Sequence, residues 1–455
     1  MKDSIRIASG QGFWGDLQRA PIDQARNGPI DYLVMDYLAE VTMSIMQKQK
    51  LRNPALGYAR DFVEVVTELA PDIKEKGFTV ISNAGGVNPV GCAEAIVEGI
   101  RSRGVSGLKV AVVTGDDLLD QLDDLLADGV ELRHMETGEP MAPVRDQMVS
   151  ANVYLGAGPI VEALRQGADV IVTGRTTDTG LTLAPMIHEF GWAMDDWDKM
   201  AAGTVAGHIL ECGAQSSGGN FTDWQTVPDM AGIGFPIAEA RPDGTFTITK
   251  HDGTGGLVSR QTVAEQLLYE IGDPKDYITP NGIADFTSIH LEDESENRVR
   301  VHGITGEPET EFYKVSAAYS DGWKATSTLV YAWPDAAKKA RAAADILKKR
   351  LDALGLEFEE YRAELIGLNA LTENDEAASA KEADLDEVML RVSVRGQDKA
   401  AIEQFGREIA PLILTGPSAV TGFAGGRPRP SEVIAYWPAL IPKDRVQTEV
   451  TVLEA

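Results

Sequence analysis

Along the N-terminal half of the chain, short unbroken apolar runs end in polar, glycine-rich segments, and helical patterns follow them. Residues 5–8 run into Ser9-Gly10-Gln11-Gly12-Phe13-Trp14-Gly15-Asp16, and 31–35 run into the polar stretch 36–40 and a helical run over 41–50. A helical pattern over 60–76 precedes the run 79–81, which ends in Ser82-Asn83-Ala84-Gly85-Gly86-Val87-Asn88-Pro89. The run 109–113 ends in Thr114-Gly115-Asp116-Asp117, and 152–155 leads through the loop 156–159 into a helix over 160–166. The run 169–172 ends in Thr173-Gly174-Arg175-Thr176-Thr177-Asp178. Continuous Val/Ile runs without alternation are strands buried on both faces, so the pattern predicts an α/β fold: a mostly parallel sheet with helices on both faces. Ligands of such sheets bind beyond the carboxyl ends of the strands. Every one of these polar loops holds that position, which would let Asp16, Asn83, Asn88, Arg175 and Asp178 converge from distant parts of the chain.

The densest polar segment is Glu211-Cys212-Gly213-Ala214-Gln215-Ser216-Ser217-Gly218-Gly219-Asn220-Phe221, delivered by the apolar stretch 205–210. Buried polar groups need partners, so a packed core has little use for this mixture. Its glycines let the backbone approach a ligand closely. Beyond Asn220 the runs shorten: 234–240 and 245–250 flank Arg241-Pro242-Asp243-Gly244, a hairpin turn. His251-Asp252-Gly253-Thr254-Gly255-Gly256-Leu257-Val258-Ser259 precedes a helix over 261–271. Ser259 is placed as its N-cap, and glycines and hydroxyls ahead of a helix suit an anion. The Walker lysine is missing, and the first glycine loop lacks dinucleotide spacing. Residues 284–303 and 312–333 read as antiparallel strands and 335–354 as a helix. From 355 the order strand, strand, helix and further β predicts a smaller C-terminal α+β unit of ferredoxin-like type. The expected domains are 1–354, with an antiparallel β portion at about 230–333, and 355–455. The loop 415–430 carries Arg427 and Arg429 among glycines and prolines.

A chain of 455 residues has room for a large domain and a smaller one. Its 43% hydrophobic and 25% charged content are those of a soluble globular protein, and no apolar run is long enough to span a bilayer. Two cysteines, Cys92 and Cys212, are too few for a disulfide framework. The first residues enter a strand pattern at once, so no signal peptide is expected and the setting reads as cytoplasmic. A formal net charge of −28 argues against nucleic acid and anionic membrane as partners. It leaves room for an anionic small molecule in a locally basic pocket. The acidic runs at 116–117, 120–124 and 373–376 read as solvated surface. Trp192, Trp197 and Trp224, in expected loops, point to a homo-oligomer.

The chain resembles the acyclic terpene utilisation, or AtuA-like, family. The resemblance is carried by Gly12-Phe13-Trp14-Gly15-Asp16, Asp31-Tyr32-Leu33-Val34, the segments 82–89 and 173–178, and His188-Glu189-Phe190-Gly191-Trp192. It continues through Glu211-Cys212-Gly213-Ala214-Gln215 with Gly218-Gly219, Thr254-Gly255-Gly256-Leu257-Val258 and Thr421-Gly422-Phe423-Ala424-Gly425-Gly426-Arg427-Pro428. It implies a place in the breakdown of citronellol- and geraniol-type compounds through acyl-CoA thioesters, and brings no agreed reaction with it.

The chemistry is therefore read from the residues. Glu211, held at the edge of an apolar segment, is the expected general acid/base, because desolvation raises a carboxyl pKa; capping backbone N–H groups is its alternative role. Asp178 is the second carboxylate, dividing acid and base work with it or pairing with Arg175 to fix the loop. Cys212 is a nucleophile or a small buried hydrophobe. Arg175 and Arg427 offer a guanidinium fork to a carboxylate or phosphate. Asn83, Asn88, Gln215, Thr176 and Thr254 would supply neutral hydrogen bonds, Gly85, Gly86, Gly218, Gly219, Gly255 and Gly256 close backbone approach, and His251 orientation or proton shuttling. Asp16, Asp36 and Glu40 could give oxygen ligands to Mg²⁺; no zinc-type spacing exists, and no cofactor is firmly implied. The expectation is a lyase or isomerase working by hydration, dehydration or isomerisation on a branched or hydroxylated acid or its CoA thioester. The alternatives are an acyl or CoA transferase or hydrolase with a carboxylate or Cys nucleophile, and a non-catalytic binding or assembly subunit.

Overall fold

The computed structural model describes residues 2–371, 385–422 and 426–455; the acidic run 373–376 and residues 423–425 of the arginine loop lie outside them. The chain divides into two compact units, Met1–Ala318 with Tyr436–Ala455, and Tyr319–Ala435. The strands are β1 (Ile5–Gln11), β2 (Tyr32–Met35), β3 (Thr79–Ser82), β4 (Lys109–Thr114), β5 (Met148–Val153), β6 (Val170–Thr173), β7 (Ile237–Ala240) and β8 (Phe246–Thr249). There follow β9 (Tyr277–Thr279), β10 (Gly282–Asp285), β11 (His290–Ser295), β12 (Arg298–His302), β13 (Thr305–Glu307) and β14 (Phe312–Ala332). The last are β15 (Glu360–Ile366), β16 (Glu387–Gly396), β17 (Val420–Thr421), β18 (Ser431–Pro442) and β19 (Glu449–Glu454). Helices α1 (Ala20–Arg26), α2 (Glu40–Arg52), α3 (Arg60–Lys76), α4 (Pro89–Ser102), α5 (Leu122–Ala127), α6 (Gly158–Arg165), α7 (Gly180–Phe190), α8 (Trp197–Glu211), α9 (Arg260–Leu268) and α10 (Ala336–Ala353) lie between them.

Among the described residues the main sheet of the first unit has ten strands, ordered β11-β12-β8-β7-β1-β2-β3-β6-β4-β19. Its centre, β1-β2-β3-β6-β4, is parallel. β7, β8, β12 and β11 join one side antiparallel, and β19 pairs antiparallel with β4 on the other. The sheet is therefore mixed, and the mostly parallel expectation describes its centre only. Tight hairpin turns can join only antiparallel strands, whereas the central strands are linked by helical crossovers. The run read at 152–155 is not a strand of the parallel set: β5 pairs with β14, and Tyr154 N–H donates to the Lys314 carbonyl at 2.9 Å. Both pleat rows of the centre are buried. Leu33, Val80, Val110, Val112, Val170 and Val172 share a core with α3 and α4, and Ile7, Val34, Ile81, Ala111 and Ile171 of the alternate row are equally enclosed. Both rows being apolar is why these strands read as unbroken Val/Ile runs.

The second unit follows the order β14, α10, β15, β16, a helix at Lys399–Ile409, β17. β16 lies antiparallel between β15 and β14, and β17 is antiparallel to β14. Leu329, Tyr331, Leu347, Leu390, Val392, Ile402 and Phe405 belong to a core of its own. The boundary expected at 354 falls inside this unit, because α10 packs on β15 and β16. The final strand, expected in the smaller domain, belongs to the main sheet. Among the described residues no helix is long and apolar enough to cross a membrane.

Candidate functional site

The loops after β1, β2 and β6 and the end of α8 enclose a cavity of about 550 Å³. Its wall carries five carboxylates, Asp16, Asp36, Asp178, Glu211 and Glu270, and among the described lining residues one cation, Arg175. Phe13, Leu38, Tyr154 and Tyr269 give it apolar and aromatic surface, and Cys212, Gln215 and Gly219 complete one side. The β1 loop closes on the end of α8 because both partners are glycine. A Cβ on Gly12 would stand 2.6 Å from the Gly213 nitrogen, and Gly213 has φ +57°, a conformation glycine adopts without penalty. Asp16 is fixed there by accepting from the N–H groups of Gly12, at 3.0 Å, and Leu17, at 2.7 Å. Asn220 and Glu270, also on the wall, both have φ +54°, a strained backbone of the kind that gathers at functional sites.

Asp36 extends from the carboxyl end of β2 and is buried. Its Oδ1 accepts from Asn83 Nδ2 at 2.7 Å and from Leu38 N–H at 3.0 Å. Burial pushes its carboxyl up to about 6, with Glu211 adding to the rise and Arg175 and the hydrogen bonds opposing it. Arg175 is almost fully enclosed and works as a brace. It donates to the Leu38 carbonyl at 2.7 Å, to the Thr176 carbonyl at 3.0 and 2.7 Å, and to Asp178, and it stacks 4.4 Å over the Tyr154 ring. Beneath it, Asp116 accepts from Arg175 N–H at 2.8 Å and from Asn152 at 2.9 Å, and burial pushes that carboxyl up to about 7.

Glu211 ends α8, and His208 stands one turn before it with Nδ1 2.8 Å from Glu211 Oε1. His208 Nε2 lies 3.0 Å from the Gln266 carbonyl. A carbonyl only accepts, so Nε2 carries a proton and Nδ1 is left facing the carboxyl. Neutral imidazole would then present a lone pair to a carboxylate; the 2.8 Å approach lacks hydrogen-bond alignment, and His208 Nδ1 has no hydrogen-bond partner among the described residues. Burial and the neighbouring acids Asp178 and Glu270 hold the Glu211 carboxyl above its usual range, against the pull of His208. Burial alone would lower His208; Glu211 and the Gln266 carbonyl outweigh it and hold the imidazole above its ordinary value. Glu211 Oε2 is buried and has no hydrogen-bond partner among the described residues. Burial, then the charge of Glu211, pushes the Cys212 thiol up to about 12, the opposite of what a nucleophile requires.

Of the residues singled out from sequence, Arg175, Asp178, Glu211, Cys212, Gln215 and Gly219 meet on this wall. Asn83 lies behind it, holding Asp36. Thr176 lies behind it too, its hydroxyl on the Leu155 carbonyl at 2.8 Å. Gly85 and Gly86 form the turn after β3, against the Thr173 carbonyl and Met46, and Asn88 caps α4 by accepting from Gly91 N–H at 3.2 Å. Gly218 packs on Val227, and Gly256 and Leu257 bond the Pro228 and Ser217 carbonyls; with Gly255 they support the cavity turn from outside. The N–H groups of Gly12 and Gly219 are already bound, to Asp16 and to the Ala214 carbonyl. His251 and Thr254 line a separate cleft with Arg6 and Lys250, where His251 Nε2 meets the Gln24 carbonyl at 2.9 Å. Arg427 is exposed and belongs to the second unit. Of the tryptophans, Trp224 is exposed, whereas Trp192 is buried with its N–H on the Pro242 carbonyl at 3.0 Å. Sequence reading passed over His208 as Glu211's partner, although the His-x-x-Glu spacing puts both on one helix face. It weighed Asp36 only as a metal ligand and did not single out Tyr154 or Glu270. Among the described residues no group of three His, Cys, Asp or Glu is placed to hold a metal ion; the Glu40 side chain lies outside them.

A family model described as the acyclic terpene utilisation family protein AtuA matches residues 5–452. No curated protein and no solved structure matches the chain. With nearly its whole length matched, the chain belongs to the acyclic terpene utilisation family, and membership points to a part in acyclic terpene utilisation.

Proposed function

We propose that the chain is a catabolic enzyme of proton-transfer chemistry, a hydro-lyase or isomerase acting beside the carbonyl of a branched or hydroxylated acyl compound. The observation that carries this is the His208–Glu211 pair: a buried imidazole whose Nδ1 lies 2.8 Å from the carboxyl that ends α8, both on the inner side of the cavity wall. Such a carboxyl titrates closer to neutral pH than an exposed one, which suits general acid–base work. In dehydration, Glu211 takes the proton from the carbon next to the carbonyl and His208 accommodates the charge change. Asp36, its carboxyl near 6, is suited to protonate the departing hydroxyl, which leaves as water; hydration is the reverse. Asp178, bound to Arg175, positions that loop and replaces neither of them. The raised thiol of Cys212 disfavours the covalent alternative. The β-α-β-β-α-β succession of the second unit supports reading it as ferredoxin-like.

Glu211→Gln tests the function. It should lower turnover by roughly a hundredfold or more while leaving ligand-induced thermal stabilisation and the circular dichroism spectrum intact. Turnover at the wild-type rate would exclude Glu211 as the acid–base group.

A further inference from the structure

A second cleft, of about 640 Å³, opens on the first unit beside the antiparallel flank of the main sheet, and it shares no lining residue with the cavity around Glu211. The start of β1, the turn after α1, the loop after β8 and the β11–β12 turn build it. Three cations reach it from three of these segments: Arg6, Lys250 and Arg298. Lys250 is only 8% exposed. Its ammonium donates to the Thr254 carbonyl at 2.7 Å, with the Thr254 hydroxyl at 3.4 Å, and it has no ion-pair partner among the described residues. Burial lowers this ammonium from its ordinary value, against the pull of Asp252 and Glu296, and a buried charge is normally paired. Arg6 and Arg298 hold the two oxygens of a single carboxylate, Glu239, which stands outside the lining. Arg6 also donates from Nε to the Pro29 carbonyl, and Arg298 Nη2 lies 3.8 Å from Glu294. Each guanidinium keeps N–H groups on its other nitrogens, and 27% and 33% of the two side chains stay exposed. The carboxylates of the lining itself, Asp252 and Glu296, are exposed, where water and salt screen them. The inner part of the cleft is therefore basic within a chain of net charge −28.

We propose that this cleft is a binding site for a phosphate group, held by Lys250, Arg6 and Arg298. Cations arriving from three separate segments suit a tetrahedral dianion, whose oxygens point several ways; a planar carboxylate offers two oxygens in one plane. The loop that carries Lys250 is the one whose glycines and hydroxyls read as an anion site in the sequence, and the fold adds Arg6 and Arg298 from β1 and β12. The volume is also room for a small molecule that carries the phosphate. Titration calorimetry of the full chain in dilute, phosphate-free buffer at about pH 7.5 tests this, with inorganic phosphate, glycerol phosphate and malonate as probes. A phosphate probe should bind at one site with a dissociation constant on the order of a millimolar or below, and malonate, a dianion of the wrong shape, should be weaker by about tenfold. Lys250→Met and Arg298→Gln should each weaken phosphate by about tenfold or more. Glu296→Gln removes an exposed like charge and should tighten it by about two- to threefold. Arg298 and Glu296 are not buried, so these two variants decide the matter even if Lys250→Met fails to fold. Tighter glycerol phosphate assigns the site to a phosphomonoester, and tighter inorganic phosphate to the free anion. No saturable binding of either phosphate probe, malonate binding as tightly as phosphate, or unchanged affinity in Arg298→Gln and Glu296→Gln would each overturn the proposal. The readout involves neither Glu211 nor turnover, so it stands or falls apart from the acid–base reading of the other cavity.

Discussion

At the scale of single residues, the site is a set of carboxyls held away from water, and this has a consequence for stability. Asp116 is buried behind the cavity and its carboxyl is pushed up to about 7 in the folded chain, against about 4 when exposed. Between those values the native state keeps a proton that the unfolded chain has released. Stability therefore falls as pH rises through this window, and the loss is complete above about 7. Asp36, pushed up to about 6, acts in the same direction over a narrower range. Asp116→Asn keeps an acceptor for the Arg175 and Asn152 donors and removes the charge. It should gain stability over the wild type at about pH 8 relative to about pH 4, by an amount on the order of a few kcal/mol at most. Urea denaturation of both proteins at both pH values measures this, and an unchanged difference would show that folding does not raise the Asp116 carboxyl. The fold retains this group because its carboxylate side fixes the backbone of Arg175, and through it the loop that carries Asp178.

Helix α8 is the element that makes the site. Gly203 and Gly207 lie four apart on one face, and both are pressed on α7 and the residue before it. A Cβ on Gly203 would come 2.3 Å from Leu183 Cδ1, and one on Gly207 would come 2.5 Å from the backbone of Thr179, next to Asp178. Close approach at these glycines sets how near His208 and Glu211 stand to the Asp178 loop. Helix propensity alone would favour Gly207→Ala by roughly 1 kcal/mol. Contact with fixed backbone should win instead, making the variant less stable by roughly 1–3 kcal/mol and less active. A raised denaturation midpoint would show that the helices can separate freely. Element boundaries were legible where burial was written into the element itself: 60–76 matches α3, and 79–81 falls one residue short of β3, which takes in Ser82. The pairing of β5 and of β19 was not legible, because Glu-Val-Thr-Val-Leu-Glu at 449–454 alternates identically whichever sheet receives it. The carboxyl-end rule brought Asp16, Arg175 and Asp178 to one wall because their strands are parallel; of the others it named, Asn83 lies behind the wall on Asp36 and Asn88 is taken up capping α4. The His251 loop, read as an anion site ahead of a helix, follows β8 in the antiparallel flank, where that rule does not apply, and lines a separate cleft.

For the whole molecule, the division of the chain matters more than its length. The second unit, Tyr319–Ala435, is inserted between two parts of the first, and it has its own core around Leu329, Leu347, Val392 and Phe405. Every residue on the cavity wall belongs to the first unit. Units with separate cores form separate cooperative units, so calorimetry of the full chain should resolve two transitions. A ligand that binds only the native first unit stabilises that unit by mass action and leaves the other untouched. A ligand of the cavity should therefore raise one transition temperature, by an amount that grows with its concentration, while the other stays fixed. The fixed transition should coincide with that of the segment 319–435 expressed alone. A single transition that moves as one with ligand would mean that the two cores unfold together.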